Sequence, residues 1–523
     1  MKSIWASTLG SGAVWRRATY KVPVGRDAMT KITGFCHNST TRERIFEAYF
    51  QGFGPEVDAK VLELLRTRRE LAVRLGFRTW AEKELRPLAV RDPAGAHALM
   101  DRCWADARPR LSLLVRRMED LAAATSRERE GPSARGPAAG AALSRLAHAD
   151  EAFFRALVTR EADTWKLAEF LPASKCLPRV LDMVGRACNV QFQEVDAPTM
   201  AGRLASGWHK SVVIYEVRDG VSGAGGAPGR HGSLGFIYLD LYQRTSLLGR
   251  PAVALAGALM LCRGHAYLSM NMPEPGLGHR KLLNPEEVVA MAHELGHAVH
   301  MLCYGGRPQE FDDLPLDVKE LPSTLAETIA LQPGAIMQYA RHFSSEGPPP
   351  DALVRSSQRD ISFFVRYLQS THVALGLHGE SLDPREMTPA DVRREAVALW
   401  QRYSAVAAHP SFTPFGEDAG LYMGQGANQI AYLLCHLRVD AILHAQQGHA
   451  APGAAAAPAR ARGASARWLS AGFAGRIRAQ LLDPAFRGQH HAPGGTAPAV
   501  HPLPPPPTSA ASLFAHTARL DGA

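Results

Sequence analysis

The chain has 523 residues, of which 46% are hydrophobic and 21% are charged, so it has an ordinary globular composition and can bury a large core. Its formal net charge is +9, but no basic stretch is interleaved with aromatic residues, and we expect no nucleic-acid partner. The longest apolar run, residues 251–262, is too short to span a bilayer.

The cysteines and the N-terminal residues indicate in which cellular compartment the protein is located. The seven cysteines are scattered without paired spacing, which predicts free thiols in a reducing compartment. Residues 1–26 contain basic and small polar residues but no acid, a composition typical of a mitochondrial presequence. We therefore expect a basic leader or targeting segment over residues 1–35 and a location in the mitochondrial matrix, with the cytoplasm as the alternative.

Residues 36–205 have a helical pattern. The helices are expected near residues 40–51, 55–75, 79–90, 95–123 and 143–170. Thr40 and Glu43 form a capping-box pattern at the first of these helices, and Gly76 is a suitable stop for the second. Residues 126–142 contain two Gly-Pro pairs and are predicted to be a disordered loop.

The rest of the chain is expected to contain a small sheet, further helices and a tail. Residues 207–273 alternate in places and predict the sheet, with a Gly-rich hairpin loop at 220–232. Helices return over 284–445 and complete a catalytic region that spans 36–445. Residues 446–523 are an Ala/Pro/Gly-rich tail with one short helix near 468–482.

The most informative stretch is His293-Glu294-Leu295-Gly296-His297. It reads H-E-x-x-H within a helical pattern. Residues four apart share one face of a helix, so His293 and His297 can present two imidazole nitrogens to one metal ion. Glu294 lies next to that face, where it can act as a general base. Zinc hydrolases use this arrangement together with a third ligand from elsewhere in the chain.

The context of the motif favours a buried helix that binds a metal. Asn284 can cap the helix, Pro285 suits its first position, and Glu287 completes a capping box. Apolar residues precede and follow the motif, and polar His and Glu side chains on a buried helix are costly unless they have partners. We therefore expect a metal site rather than a chance match.

Three downstream residues are candidates for the third ligand: Glu310, Glu320 and Glu327. The longer all-His motif is excluded because His300 and Cys303 occupy its Gly and last His positions. Glu320 begins a second apolar segment, and a helix that starts there could direct the Glu320 side chain toward the helix that carries the motif. Alternatively, Asp317 and Glu320 could form a capping box. Glu327, two turns further on, suits an acceptor that orients a His ligand.

These residues carry a resemblance to a known family. Residues 293–300, HELGHAVH, followed by Glu320-Leu-Pro-Ser, resemble the thimet oligopeptidase family of zinc metallopeptidases (peptidase family M3), in particular its mitochondrial intermediate peptidase branch. Residues 235–244 and 267–273 resemble the segments that precede the site in that family. Residues 71–81 resemble one of its helical signatures.

The resemblance covers roughly residues 37–445 and implies a specific fold and chemistry. The implied fold is mainly α, a zincin-type oligopeptidase with a small mixed β-sheet beside the active-site helix and a deep substrate channel. The resemblance implies one Zn²⁺ per chain, held by His293, His297 and Glu320, with Glu294 as the catalytic base. Members of the family also have a preceding helical region that forms one wall of the channel, and we expect this region to be missing before Cys36.

The implied activity is hydrolysis of internal bonds in short or unfolded peptides by a monomer, including the processing of imported mitochondrial precursors. A general cytosolic oligopeptidase is the alternative within the family. A strand edge near Asn271 is expected to pair with extended substrate.

The family's Gly/Tyr-rich segment is altered in this chain. Leu421 stands at its His position, while Gln425, Gln429 and Ile430 stand at tyrosine positions. Only Tyr432 keeps its match, and we expect its hydroxyl to stabilise the oxyanion; packing in the core is the alternative. These changes raise a competing interpretation, a homologue that binds zinc or peptide with weak or no catalysis.

Overall fold

In a computed structural model, the protein is described over residues 3–5, 19–130, 146–159, 161–195, 209, 211–220, 232–242, 257–272, 282–417 and 426–448. The α-helices in these residues are α1 (Arg26–Phe35), α2 (Ser39–Phe50), α3 (Pro55–Arg74), α4 (Trp80–Leu85), α5 (Pro93–Glu130), α6 (His148–Val158), α7 (Ala173–Cys188), α8 (Pro285–Tyr304), α9 (Pro308–Asp312), α10 (Leu316–Ala330), α11 (Pro333–Tyr339), α12 (Asp351–Ser356), α13 (Ile361–Leu377), α14 (Pro389–Gln401) and α15 (Ile430–Gly448). The strands are β1 (Ser3–Trp5), β2 (Thr19–Lys21), β3 (Val190–Val195), β4 (Val213–Asp219), β5 (Ser233–Tyr242), β6 (Gly257–Cys262) and β7 (His265–Met272).

The described residues form two compact units. The first contains residues up to 162 and residues 359–433, and the second contains residues 163–358 and 434–448. None of the helices in these residues combines the length and the apolar character that crossing a bilayer requires. The predicted class, mainly helical with one small mixed sheet, is confirmed.

The first unit is a helical assembly around one apolar core. Helix α1 packs against α2 and α6, so residues 26–35, which the sequence analysis included in the leader, lie within this assembly. Helix α3 begins with Pro55 at its N-terminus and ends before Gly76, whose positive φ of 84° is the conformation that glycine favours. The core is formed by aromatic and aliphatic residues of α2, α3, α13 and α14.

The second unit contains a five-stranded sheet in the order β3-β4-β5-β7-β6. All neighbours are antiparallel except β5 and β7, which are parallel, so the sheet is mixed. Alternate residues of β7, including Leu268 and Met270, join the core that also contains the buried side of α8. Because α8 packs against β6 and β7, the sheet lies beside the helix that carries the H-E-x-x-H motif.

Several local predictions are wrong. Residues 190–195, expected to be helical, form β3, and residues 126–130, expected to be in a loop, continue α5. Helix α2 is capped by Asn38, which accepts a hydrogen bond from the Thr41 N–H, because the helix begins one residue before Thr40. The strand that contains Asn271 is not an edge, since β7 lies between β5 and β6.

Other predictions fall largely or wholly on residues outside the described set. These are most of the basic leader, residues 131–142 of the predicted loop, residues 221–231 of the Gly-rich hairpin loop, the altered segment at 421–425, and the tail after residue 448 with its short helix.

Candidate metal centre

Helix α8 fixes the orientation of the two motif histidines. It begins at a complete capping box, in which the Asn284 side chain accepts from the Glu287 N–H and the Glu287 carboxylate accepts from the Asn284 N–H. The helix continues without interruption to Gly305, which has a positive φ of 62°. The rings of His293 and His297 therefore lie on one face, edge to face, with their centroids 4.9 Å apart.

A close helix crossing brings the third candidate ligand to this face. Helices α8 and α10 pack against each other, and Gly296 makes their approach possible. A Cβ atom at Gly296 would lie 2.7 Å from the Pro322 carbonyl oxygen. Helix α10 begins at Leu316 after the N-cap residue Pro315, which makes no side-chain cap, so the proposed Asp317 capping box does not form. Glu320 consequently lies in the second turn of α10 rather than opening it.

The three side chains form one compact cluster. Oε2 of Glu320 lies 3.1 Å from Nε2 of His297 and 3.4 Å from Nε2 of His293. One ligand atom from each residue lies within 4.8 Å of the others. Ligand atoms about 2.0–2.2 Å from a tetrahedral zinc would lie about 3.3–3.6 Å from one another. Two imidazole nitrogens and one carboxylate oxygen at these distances fit Zn²⁺ in donor type and spacing.

Two further side chains orient the cluster. Nδ1 of His293 lies 3.2 Å from Oε2 of Glu327, so the Nδ1–H donates to this carboxylate and Nε2 is the ring nitrogen that faces Glu320. Ser323 Oγ donates to Oε2 of Glu320 over 3.0 Å and limits rotation of that carboxylate. The role suggested for Glu327 from spacing thus corresponds to an observed hydrogen bond.

The electrostatics of the cluster favour a cation. Burial alone would lower the pKa of His293, but its hydrogen bonds to Glu320 and Glu327 outweigh burial and raise that pKa to about 10. Burial would raise the pKa of Glu320, yet hydrogen bonds to His293 and His297 hold it well below its ordinary value. Carboxylates thus surround the imidazoles, and a bound metal ion competes with protons for the same nitrogens.

Glu294 lies beside the cluster without joining it. The side chain is buried, and burial raises its pKa, partly offset by the charges of His297 and His293. Its carboxylate accepts a hydrogen bond from the backbone N–H of Ala258, in strand β6. Helix α8 therefore presents a carboxylate to the edge of the sheet, next to the possible metal ligands.

The remaining candidates are not members of the cluster. Glu310 belongs to α9 and pairs with Arg307, through Oε1 at 2.9 Å from Nε. His300 is buried and packs edge to face on Phe311, with ring centroids 5.0 Å apart, as expected for a core residue. Tyr432 lies in the first turn of α15, is partly buried and belongs to the first unit, whereas the cluster belongs to the second.

A second group of possible ligands, Glu43, Glu47 and His409, lies in the first unit. Nδ1 of His409 accepts from the Ser411 backbone N–H over 3.2 Å, so the neutral ring carries its proton on Nε2, 3.8 Å from Glu47. That tautomer suits an ordinary His–Glu pair and does not suit a metal ligand.

Several residues around the cluster have no signal in the sequence. Ala258 could not be identified because strand order is not visible in a local pattern. His436, in α15, places Nε2 3.6 Å from Oε1 of Glu327, and Arg438 pairs with Asp317 over 3.2 Å. No spacing rule links His436 or Arg438 to the motif, since more than a hundred positions separate each of them from it.

Comparison with known proteins places the chain in a family. The sequence model of peptidase family M3 matches residues 34–416. The chain is 25% identical to mitochondrial intermediate peptidase of Arabidopsis thaliana, over 74% of this chain and 52% of that protein. It is 23% identical to saccharolysin of Saccharomyces cerevisiae, over 64% of this chain and 46% of that protein. It is also 23% identical to oligopeptidase A of Escherichia coli, over 67% of this chain and 50% of that protein.

The chain therefore spans about half the length of the curated relatives that it matches. The matched region includes the motif helix α8, the crossing at Gly296 and the carboxylates of α10. Since the family model covers most of the sequence, this chain belongs to peptidase family M3.

Proposed function

We propose that the chain is a zinc-dependent metalloendopeptidase that hydrolyses internal bonds of short or unfolded peptides. The observation that carries the proposal is the cluster of His293, His297 and Glu320, whose ligand atoms lie within 4.8 Å of one another. These residues would hold one zinc ion, which when bound supplies a Lewis acid for a peptide carbonyl and for water.

Glu294 is the proposed catalytic base. Its carboxylate takes a proton from the attacking water and delivers it to the leaving amine nitrogen, so no separate acid is needed. Burial favours this role, because it raises the pKa of the carboxyl group and so makes it a stronger base. The hydrogen bond from the Ala258 N–H fixes one end of the group.

Strand β6 is the proposed binding edge for the peptide. It pairs with β7 on one side, and in the described residues no strand pairs with its other side. An exposed edge binds extended peptides through backbone hydrogen bonds. The Ala258 N–H points from this edge to Glu294, and Leu259 and Leu261 expose apolar side chains along it. A peptide added to β6 would therefore run past the catalytic carboxylate.

We further propose the mitochondrial matrix as the location and imported precursors among the substrates. One relative is named a mitochondrial intermediate peptidase, and residues 1–26 have the composition of a presequence. Another relative is a bacterial oligopeptidase, which supports a general cytosolic oligopeptidase as the alternative. A fluorescent reporter fused behind residues 1–35 separates the two, since a purely cytosolic signal would favour the alternative.

A homologue that binds zinc or peptide but no longer cleaves is the second candidate function. The observation in its favour is the altered Gly/Tyr-rich segment, with Leu421, Gln425, Gln429 and Ile430 at positions that are His or Tyr in the family pattern. Hydrolysis depends first on the metal ligands and the base, which this chain keeps, so we prefer the active enzyme.

The test is cleavage of a panel of quenched fluorescent peptides by the purified protein, before and after removal of metal with a chelator. We expect cleavage that the chelator abolishes and that stoichiometric zinc restores. Zinc binding without cleavage of any peptide would favour the second candidate, and cleavage that survives complete metal removal would contradict the proposal.

A further inference from the structure

Helix α15 contacts α10 on both sides of Glu320. Before Glu320, Nη1 of Arg438 lies 3.2 Å from Oδ2 of Asp317, and Sγ of Cys435 lies 3.3 Å from the Asp317 carbonyl oxygen. After Glu320, Nε2 of His436 lies 3.6 Å from Oε1 of Glu327. Three residues within one turn of α15 thus contact the two acidic residues of α10 that flank the proposed ligand.

These contacts are buried. The Asp317 side chain is 2% exposed and that of Arg438 14%, so the pair is largely removed from solvent. Cys435 is fully buried, and its thiol also hydrogen-bonds to Thr324. Removal of either partner of this ion pair would leave an uncompensated buried charge, so the contact of α15 with α10 depends on both Asp317 and Arg438.

Glu327 lies between two imidazoles, one from each neighbouring helix. Its Oε2 accepts from Nδ1 of His293 over 3.2 Å, and its Oε1 faces Nε2 of His436 at 3.6 Å. The second distance is longer than a good hydrogen bond and corresponds to an electrostatic contact. The two contacts engage different oxygens, so together they resist rotation of the carboxylate about its last side-chain bond.

We propose that His436 is a positioning residue of the metal centre, acting through Glu327 on the imidazole of His293. The inference rests on the proposed zinc site and adds a residue from a helix that contributes no ligand. His436 fixes the carboxylate of Glu327, which fixes the ring plane and the tautomer of His293. Arg438 and Cys435 keep this part of α15 against α10.

The expected effect is on zinc affinity. Loss of a residue that holds a metal ligand in place typically weakens metal binding about 10- to 100-fold, because the ligating side chain then samples other orientations. His436 acts one contact further out than Glu327. We therefore expect its loss to weaken zinc binding by about 10-fold, at the lower end of that range, and the loss of Glu327 to weaken it more.

The experiment compares zinc dissociation constants, measured by competition with a chromophoric chelator, for the full chain and for His436→Leu, His436→Gln and His342→Leu. Leucine keeps the volume but removes the N–H, whereas glutamine restores a donor. His342 is the matched control, because its Nε2 also lies 3.6 Å from a carboxylate, Glu169 Oε2, in contacts that include no residue of the cluster. Melting of the metal-free proteins is measured in parallel.

We expect the dissociation constant to rise about 10-fold in His436→Leu, and to stay within about threefold of the parent in His436→Gln and His342→Leu. Equal affinity in His436→Leu and the parent, or equal losses in the leucine and glutamine variants, would overturn the inference. If His436→Leu does not fold, the test depends on His436→Gln, and weak zinc binding by the folded His436→Gln protein would overturn the inference. Failure of the parent chain to bind zinc would instead refute the proposed function.

Discussion

A Cβ atom placed on Gly296 would lie 2.7 Å from the carbonyl oxygen of Pro322 and equally close to Cα of Ser323. The neighbour is backbone, which cannot rotate away as the end of a side chain can. The glycine inside the H-E-x-x-H motif is therefore the point at which α8 and α10 meet, and it determines how near Glu320 comes to the two histidines.

Gly296→Ala should destabilise the protein and weaken zinc binding together. The added methyl group forces the two helices apart, and overpacking of this kind costs about 1–3 kcal/mol. Gly34→Ala is the matched control, because Gly34 also lies in a helix but has nothing within 4 Å of its Cβ position. Melting temperature and zinc affinity are the measurements, and unchanged values for both in Gly296→Ala would refute the close crossing.

Glu294→Gln should retain zinc and lose cleavage. The amide has nearly the shape of the carboxylate but cannot accept a proton, so both the activation of water and proton delivery to the amine are removed. General acid–base catalysis contributes about 10²- to 10⁴-fold, and we expect a fall in kcat of that size. Steady-state cleavage of a quenched peptide, with zinc content measured on the same sample, tests this. Near-parental activity would assign the base to another residue.

Much of this site could be predicted from the sequence because its rules are local. Asn284 and Glu287 cap a helix by fixed spacing, and that helix places His293 and His297 on one face. Spacing alone left Glu310, Glu320 and Glu327 open, because a helix crossing depends on tertiary packing at Gly296. The family resemblance, not periodicity, singled out Glu320.

The wrong predictions also concern features that depend on contacts between distant parts of the chain. Asn271 was expected at a sheet edge, but strand order is set by long-range pairing, and β6 is the strand that covers that side of β7. Residues 190–195 were expected to be helical because they follow a long helical region, yet they pair with β4. His436 and Ala258 approach the site only through contacts between elements that are distant in the chain.

Tyr432→Phe should lower kcat by about 10² with little change in zinc content or melting temperature. A phenol donates a hydrogen bond without ionising at neutral pH, and loss of one oxyanion donor has this typical effect. The assignment rests on the family resemblance of residues 421–433. Single-turnover cleavage by the two proteins is the measurement. An unchanged kcat would give the role to another group and favour a rebuilt active site.

Acid should destabilise the first unit through His378. This side chain is buried, its Nε2 accepts from Arg68 over 2.9 Å, and its Nδ1 donates to the Ala374 carbonyl. Burial is the main reason that its pKa falls from 6.5 to about 4, with Arg68 adding to the shift. The unfolded chain therefore takes up a proton near pH 6.5 and the folded chain only near pH 4, so stability is lost as the pH falls through this window.

The expected loss is about 2 kcal/mol between pH 6.5 and 5. Thermal melts across this range should slope less steeply in His378→Gln, which mimics the neutral ring and cannot be protonated. Parallel slopes in the two proteins would assign the acid sensitivity to other groups.

The most direct test of the metal centre is the zinc content of the purified chain and of Glu320→Ala, Glu310→Ala and His293→Ala, measured by elemental analysis after dialysis against a weak chelator. The cluster predicts one zinc per chain in the parent and in Glu310→Ala, and loss of the metal in His293→Ala and Glu320→Ala. Full zinc retention in Glu320→Ala, with loss in Glu310→Ala, would contradict the assignment of the third ligand and with it the proposed centre.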